Sequence, residues 1–252
     1  MFILATEVLA PMVDKLARHS RLGSAEINAL LSMPFRTSSV DRDAYLVREG
    51  DKVASCTVLL SGFIYRSKIA GSGSRQILSI HQRGDMIDLQ NGLLDHADHN
   101  VQALTRTEVA YIPHQTILDV ANEYPAVARA LWRDTLIDGS VFREWILNVG
   151  QRDARQRISH LICETALRQE DAGICQGPQY LWPLTQEQVG DAMGLTAVHV
   201  NRTIQYMRND GLIVISKGSV TIPDWRRLQL AGDFSKAYLQ QDPVPKAELR
   251  SA

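Results

Sequence analysis

The segment TQEQVGDAMGLTAVHVNRTIQYMRNDGLI, residues 185–213, can fold in few ways. Thr185 and Gln188 stand at the T-x-x-Q spacing of a capping box: the hydroxyl takes the backbone N–H three residues on while the amide reaches back, so a short helix starts there. Val189 and Met193 share one face of that helix, and Gly190 between them leaves room for a second helix to cross closely. Gly194 ends it, since a tight turn needs positive φ at low cost. Thr196 caps the next helix, whose inward stripe is Val200, Ile204 and Met207. The opposite face carries Ala197, Val198, Asn201, Arg202 and Gln205, with His199 beside them, a set of small, apolar and hydrogen-bonding groups that suits a helix lying in a DNA major groove. Each signal alone fits any solvated helical hairpin, but together they read as a helix-turn-helix.

The residues that follow agree. Gly211 stops the helix, 212–216 reads as a strand, Lys217-Gly218 as a turn and 219–222 as a partner strand, which makes a wing beside the second helix. Lys217 and Ser219 at its tip are candidate phosphate contacts. The net charge of −1 gives no global basic field, so DNA affinity has to come from local charge. Between 196 and 227 that charge exists: Arg202, Arg208, Lys217, Arg226 and Arg227 face only Asp210 and Asp224.

Upstream, 35–113 alternates short apolar runs with glycine turns, giving strand candidates at 45–47, 56–60, 63–69, 76–80, 86–89, 101–104 and 109–112. Spacing of this kind argues for a β-sandwich, barrel or roll. Pro125 then opens a helix predicted to run to about 149, and a second helix is expected over 154–168. In the long helix Leu131, Thr135, Asp138, Phe142, Trp145 and Val149 recur every three or four residues, as in a coiled-coil seam between two subunits. Two copies of Asp138 facing each other there would repel and leave a weakened seam. The expected organisation is a sensor domain over 1–124, a central helix over 125–150, a DNA-binding domain over 151–239 and a polar tail over 240–252. The fold class is α+β.

The three cysteines, Cys56, Cys163 and Cys175, are widely spaced without C-x-x-C, so neither a disulfide framework nor a zinc knuckle is indicated, and a reducing cytoplasm fits best. Cys175, in a glycine-containing loop, is the one to test for oxidation. The opening MFILATEVLAPMV lacks a basic start and is expected to form a helix on the first domain rather than a signal peptide. No apolar run is long enough to span a bilayer. Nothing resembles a nucleophile elbow, a phosphate loop or an HExxH helix, so an enzyme is not expected.

In this order the elements resemble the Crp/Fnr family of bacterial transcription factors over nearly the whole chain. The matching motifs are Arg83-Gly84-Asp85, Arg157-Ile158-Ser159-His160-Leu161, and the stretch from Leu184-Thr185-Gln186 to Gly211-Leu212-Ile213. The resemblance implies a cytoplasmic homodimer joined through the central helix, with recognition helices in successive major grooves of a palindromic double-stranded site, and contact with RNA polymerase. Thr185 and Gln186 then look like backbone-positioning residues, with Thr196 at the start of the recognition helix. Ala197, Val198, Asn201 and Arg202 occupy the base-reading face, where Arg202 matches a family arginine that reads guanine. Val198 stands where many members carry an acid, so it would touch a thymine methyl instead of accepting from cytosine.

The effector residues of the family are missing. A Gly-Glu pair that holds the ribose of a cyclic nucleotide is replaced by Met86-Ile87-Asp88-Leu89, and the next loop, Asp95-His96-Ala97-Asp98-His99-Asn100, has no arginine and carries carboxylates that would repel a phosphate. Cyclic AMP is therefore not expected. The cysteine cluster of iron–sulfur members is absent too, so no cofactor is predicted and the effector is unknown. His96 and His99 are weak candidates for a divalent metal, although a polar solvated loop explains them equally well. The competing function is a ligand-binding module whose helix-turn-helix has become a protein-interaction surface, which apolar Ala197 and Val198 leave open.

Overall fold

The computed structural model describes residues 8–240; the first seven residues of the expected opening helix and the expected tail beyond 240 lie outside that range. Eight strands build the N-terminal half: β1 (Arg36–Val40), β2 (Tyr45–Val47), β3 (Ser55–Ser61), β4 (Ile64–Ile69), β5 (Arg75–His81), β6 (Met86–Ile87), β7 (Asn100–Ala103) and β8 (Thr107–Pro113). They form two antiparallel sheets, ordered β1-β8-β3-β6 and β2-β7-β4-β5, the facing layers of a β-roll. Val47, Leu59, Ile64, Ile87, Val101 and Val109 cluster in its core, as alternation of inward apolar residues requires.

All seven expected strands are present, and two differences have local causes. β1 has no apolar alternation to announce it: Arg-Thr-Ser-Ser-Val is an edge strand held by pairing with β8, with the Arg36 guanidinium 4.5 Å above the Tyr111 ring. The strand expected over 86–89 stops at Ile87 because Asp88 turns left-handed, at φ 66°, and the chain enters a 3-10 turn over Leu89–Gly92.

Helices α1 (Ala10–His19), α2 (Ser24–Leu31), α3 (His114–Glu123) and α4 (Pro125–Gln151) accompany the roll. Met12 and Leu16 of α1 cluster with Cys56, Ala110 and Ile112 of the sheet and with Val127 and Leu131 of α4. Pro125 takes a first-turn position in α4, where its missing N–H costs nothing. The chain leaves the helix at Arg152 in extended conformation, and Asp153 caps the following helix α5 (Ala154–Asp171) through a box with Gln156. The C-terminal unit adds β9 (Gln179–Leu181), α6 (Gln186–Met193), α7 (Ala197–Asn209), β10 (Val214–Ser216), β11 (Ser219–Thr221) and α8 (Trp225–Ala231). The expected two-stranded wing is a three-stranded sheet, β10-β11-β9, whose third strand is too short to leave a pattern in sequence.

Two members of the row expected as a subunit seam, Leu131 and Trp145, are covered within the chain itself. Leu131 is buried among α1 and sheet residues, and Trp145 is buried with its Nε1–H 3.1 Å from both carboxylate oxygens of Glu164 on α5. Asp138 faces Arg66 of β4 in the same chain, 3.5 Å away. The open apolar row lies one residue further on. Trp132 and Leu136 are exposed, and Ile146 follows at heptad spacing through Gly139 and Arg143.

Candidate nucleic-acid interface

Helix α6 begins as its sequence dictates: the Thr185 hydroxyl accepts from the N–H of Gln188 at 3.2 Å, and the Thr185 N–H donates to Gln188 Oε1 at 3.0 Å. Gly194 ends it at φ 65°. Thr196 then caps α7, accepting from the N–H of His199 at 3.2 Å. Val200, Ile204 and Met207 are buried, as is Thr203, whose hydroxyl turns back to the His199 carbonyl. Gly190 is required for a different reason from the one expected. A Cβ there would lie 2.5 Å from the carbonyl oxygen of Leu195, so the turn itself, rather than the crossing helix, presses on it.

The opposite face of α7 is open. Ala197, Val198, Asn201, Arg202 and Gln205 are exposed, Val198 at 78%, and His199 is half-buried. Thr185, Gln186, Thr196 and Lys217 are exposed as well. Asn201 donates to Gln186 Oε1 at 3.0 Å, which ties the second helix to the start of the first and orients the amide. Arg202 has no ion-pair partner among the described residues, so its five donors remain available. In the wing, Ser219 already exchanges hydrogen bonds with Ser216, at 2.7 Å, and Gln179, at 3.0 Å, while Lys217 stands free of such contacts at the turn.

The helix-turn-helix is seated on the β-roll. Arg75 of β5 grips Asp191 of α6 at 2.7 Å and 2.8 Å, and Gln76 donates to the Ala192 carbonyl at 3.2 Å. Arg168 of α5 holds Asp85 at 2.8 Å and the Ile80 carbonyl at 2.8 Å. Asp85 belongs to the Arg83-Gly84-Asp85 turn, where Gly84, at φ 89°, lets the backbone pass a carbonyl of α1 that a Cβ would meet at 2.7 Å. Burial works against the charge of Asp85, but Lys15 and Arg168, with His81, outweigh it and keep the carboxyl well below the usual carboxylate range. Glu164 is the opposite case: burial pushes its carboxyl up against Arg168, Tyr238 and Trp145. Sequence reasoning missed Arg66, Arg75, Glu164 and Arg168, because each finds its partner on a distant element.

Between β4, β5, the segment after β6 and the second half of α4 lies a cleft of about 800 Å³. Ile77, Phe142, Trp145 and Ile146 make its walls apolar, and Arg66, Asp98, His99 and Asp138 are its charged groups. Five members of the expected seam, Thr135, Asp138, Phe142, Trp145 and Val149, line this cleft. His99 is buried and lies 2.6 Å from Asp98 and 3.2 Å from Asp88, whereas His96 is exposed. The two histidines therefore do not converge, and no group of three or more His, Cys, Asp or Glu side chains suited to a metal ion occurs among the described residues. Cys56 and Cys163 are buried and burial pushes both thiols up, Cys163 to about 12; Cys175 is half-buried.

Two family models match the chain: a Crp-like helix-turn-helix domain over residues 156–231 and a cyclic nucleotide-binding domain over residues 37–124. The chain is 24% identical over 214 residues to the fumarate and nitrate reduction regulatory protein of Escherichia coli (strain K12), covering 84% of each. It is 23% identical over 203 residues to the protein of that name from Salmonella typhimurium, covering 80% of each. Among solved structures it is similar to FixK2 from Bradyrhizobium japonicum, with a TM-score of 0.74, 20% identity, and coverage of 81% of this chain and 100% of that one. A CRP/FNR family regulator from Thermus thermophilus matches with a TM-score of 0.62 at 13% identity, over 79% and 99% of the two chains.

The second of those family models implies a cyclic nucleotide. The residues here do not fit one: the cleft offers a phosphate the Arg66 guanidinium, already facing Asp138, together with the carboxylates of Asp98 and Asp138. Asp85, at the turn the family uses beside the ribose, is committed to Lys15 and Arg168.

Proposed function

We propose, from the premise that this chain belongs to the Crp/Fnr family of DNA-binding transcription regulators, that it acts as a homodimer on palindromic promoter sites under an effector other than cyclic AMP. The observation that carries this reading is the open face of α7, where Asn201 and Arg202 stand exposed on a helix fixed by two capped turns. A helix of this width fits the major groove, and the Arg202 fork matches the paired acceptors of guanine. Thr185, Gln186, Thr196, Lys217 and Ser219 would hold the phosphates on either side, and Ala197, Val198 and Gln205 would complete the reading face, with His199 at its edge.

Support for the dimer comes from the exposed row Trp132, Leu136 and Ile146 on α4, which is apolar surface that a second copy in parallel would cover. Two copies would place two recognition helices one DNA turn apart and double the local basic charge. RNA polymerase is the expected partner of the DNA-bound dimer. No helix among the described residues is long and apolar enough to cross a membrane.

Selection of bound sites from random DNA, with and without cell extract, tests operator and effector together. An inverted repeat should emerge. Arg202→Ala should then cost about 1–3 kcal/mol on that site and relax the preference at one base pair. Equal weakening on every sequence would make Arg202 a phosphate contact, and no retardation of any DNA at low salt, where the phosphate attraction is strongest, would overturn the regulator reading.

A further inference from the structure

We infer that Asn201 reads adenine, and that Gln186 makes it do so by fixing which way the Asn201 amide faces. The inference rests on the regulator reading above and deepens it, naming one base of the operator and a positioning residue that acts through a second side chain.

Gln186 is the first residue of α6 and Asn201 lies in the second turn of α7; both are exposed, and the Asn201 Nδ2–H donates to Gln186 Oε1 at 3.0 Å. Among the described residues neither amide makes another side-chain hydrogen bond. A bond between two amides can run in either direction, the alternative here being Gln186 donating to Asn201 Oδ1. A phosphate decides between them. Its oxygens only accept, so a Gln186 held against the DNA backbone turns its Nε2 hydrogens to the phosphate and keeps Oε1 for the protein. Oε1 then takes its hydrogen from Asn201, which is the direction the structure has.

That direction leaves Asn201 with Oδ1 and one N–H for the groove. Adenine offers the N7 acceptor beside the N6 amino donor, so it alone pairs with both. Guanine and thymine set an oxygen where Oδ1 needs a hydrogen, and cytosine supplies that hydrogen without a second partner. The opposite direction would turn Nδ2 outward and favour guanine or thymine instead. The rest of the open face cannot take this role. Ala197 and Val198 carry no polar side-chain atom, Arg202 only donates, and Gln205, the other acceptor, stands one turn further along α7.

The test is DNA retardation by the full chain on the inverted repeat selected from random DNA, with each half-site base pair replaced in turn at fixed salt. At one position the wild-type chain should favour adenine about tenfold over guanine or thymine, and Asn201→Ala should flatten that position alone. 7-Deazaadenine, which lacks the N7 acceptor, and unsubstituted purine, which lacks the N6 amino group, should each weaken wild-type binding there about fivefold and leave Asn201→Ala unmoved. Two substitutions at Gln186 separate positioning from phosphate binding. Gln186→Lys keeps a donor for the phosphate but offers Asn201 no acceptor, so affinity should hold while the adenine preference falls to about threefold. Gln186→Glu keeps the acceptor but sets a carboxylate against the phosphate, so every site should weaken about tenfold while the adenine preference survives. Both side chains are exposed and the Thr185–Gln188 cap is untouched, so these variants keep the fold.

A preference for guanine, thymine or cytosine at the position that depends on Asn201, the lack of any such position, or an adenine preference that survives Gln186→Lys would each overturn the inference. Arg202 keeps its failure distinct from that of the regulator reading. Site-specific binding with a guanine preference that Arg202→Ala relaxes leaves a regulator with a different second reader, whereas no retardation of any DNA removes the regulator reading itself.

Discussion

At the scale of single residues, the helix-turn-helix and its exit depend on two different glycine properties. Gly190 is fixed by space, since a Cβ would fall 2.5 Å from the Leu195 carbonyl oxygen; Gly211 has open space but a φ of 66°. Gly190→Ala should therefore cost about 2–3 kcal/mol in urea unfolding, and Gly211→Ala only about 1 kcal/mol, for its backbone conformation. Equal losses would mean that the Leu195 contact relaxes freely. Residue chemistry was legible in the sequence wherever both partners lie within one turn. Thr185 with Gln188 and Thr196 with the His199 N–H are such cases. It was illegible where they do not: Arg66 finds Asp138 72 residues away, and Arg75 finds Asp191 116 residues away. No local period encodes those pairs, so the charged groups of the cleft and of the domain contact emerged only from the fold.

At the scale of elements, the heptad period of α4 was readable and its phase was not. The rows through Leu131, Asp138 and Trp145 and through Trp132, Gly139 and Ile146 are one residue apart, about 100° around the helix, and both carry large apolar side chains. Spacing alone cannot tell which row the chain's own sheet and α5 will cover. Tertiary contacts decide it: Leu131 joins the α1 cluster and Trp145 is bound by Glu164, which leaves Trp132, Leu136 and Ile146 outside. Leu136→Glu with Ile146→Glu should weaken self-association at least about tenfold in sedimentation equilibrium and leave the far-ultraviolet circular dichroism unchanged. Trp145→Ala should instead cost about 3–5 kcal/mol of folding stability, through lost packing and the loss of one donor to buried Glu164. If the Trp145 variant is stable and only dissociates, the inner row is the seam after all. The edge strand β1 and the three-residue β9 were missed for a related reason, since their pairing partners rather than their own composition make them strands.

At the scale of the molecule, the two halves are joined through one buried cluster that runs from Tyr65, Ile77 and Ile80 of the roll through Trp145 to Ile158, Val189 and Met193 of the DNA-reading unit. Polar groups are buried with it, and they make stability depend on pH. His160 of α5 is 1% exposed, between the Gly232 carbonyl, the Phe234 ring and the Tyr238 hydroxyl. Burial, and then the Arg152 charge, push its imidazole down to about 4, against about 6.5 in an unfolded chain. Between those values the unfolded state holds the proton and the native state does not. Stability therefore falls as pH drops through 6.5 towards 4, and is insensitive to this group above that window. His160 alone should remove about 2 kcal/mol between pH 7 and 5, and His81, lowered by burial and then by Arg66, adds in the same direction. Asp85, held ionised by Lys15 and Arg168, keeps its contribution until the solution is more acid than this window. Urea midpoints measured from pH 7 to 5 should thus slope downward in the wild-type chain and less steeply in His160→Asn. An unchanged slope in the variant would place the acid sensitivity at His81 and its Asp85 contact, on the β-roll side of the domain contact rather than the DNA-reading side.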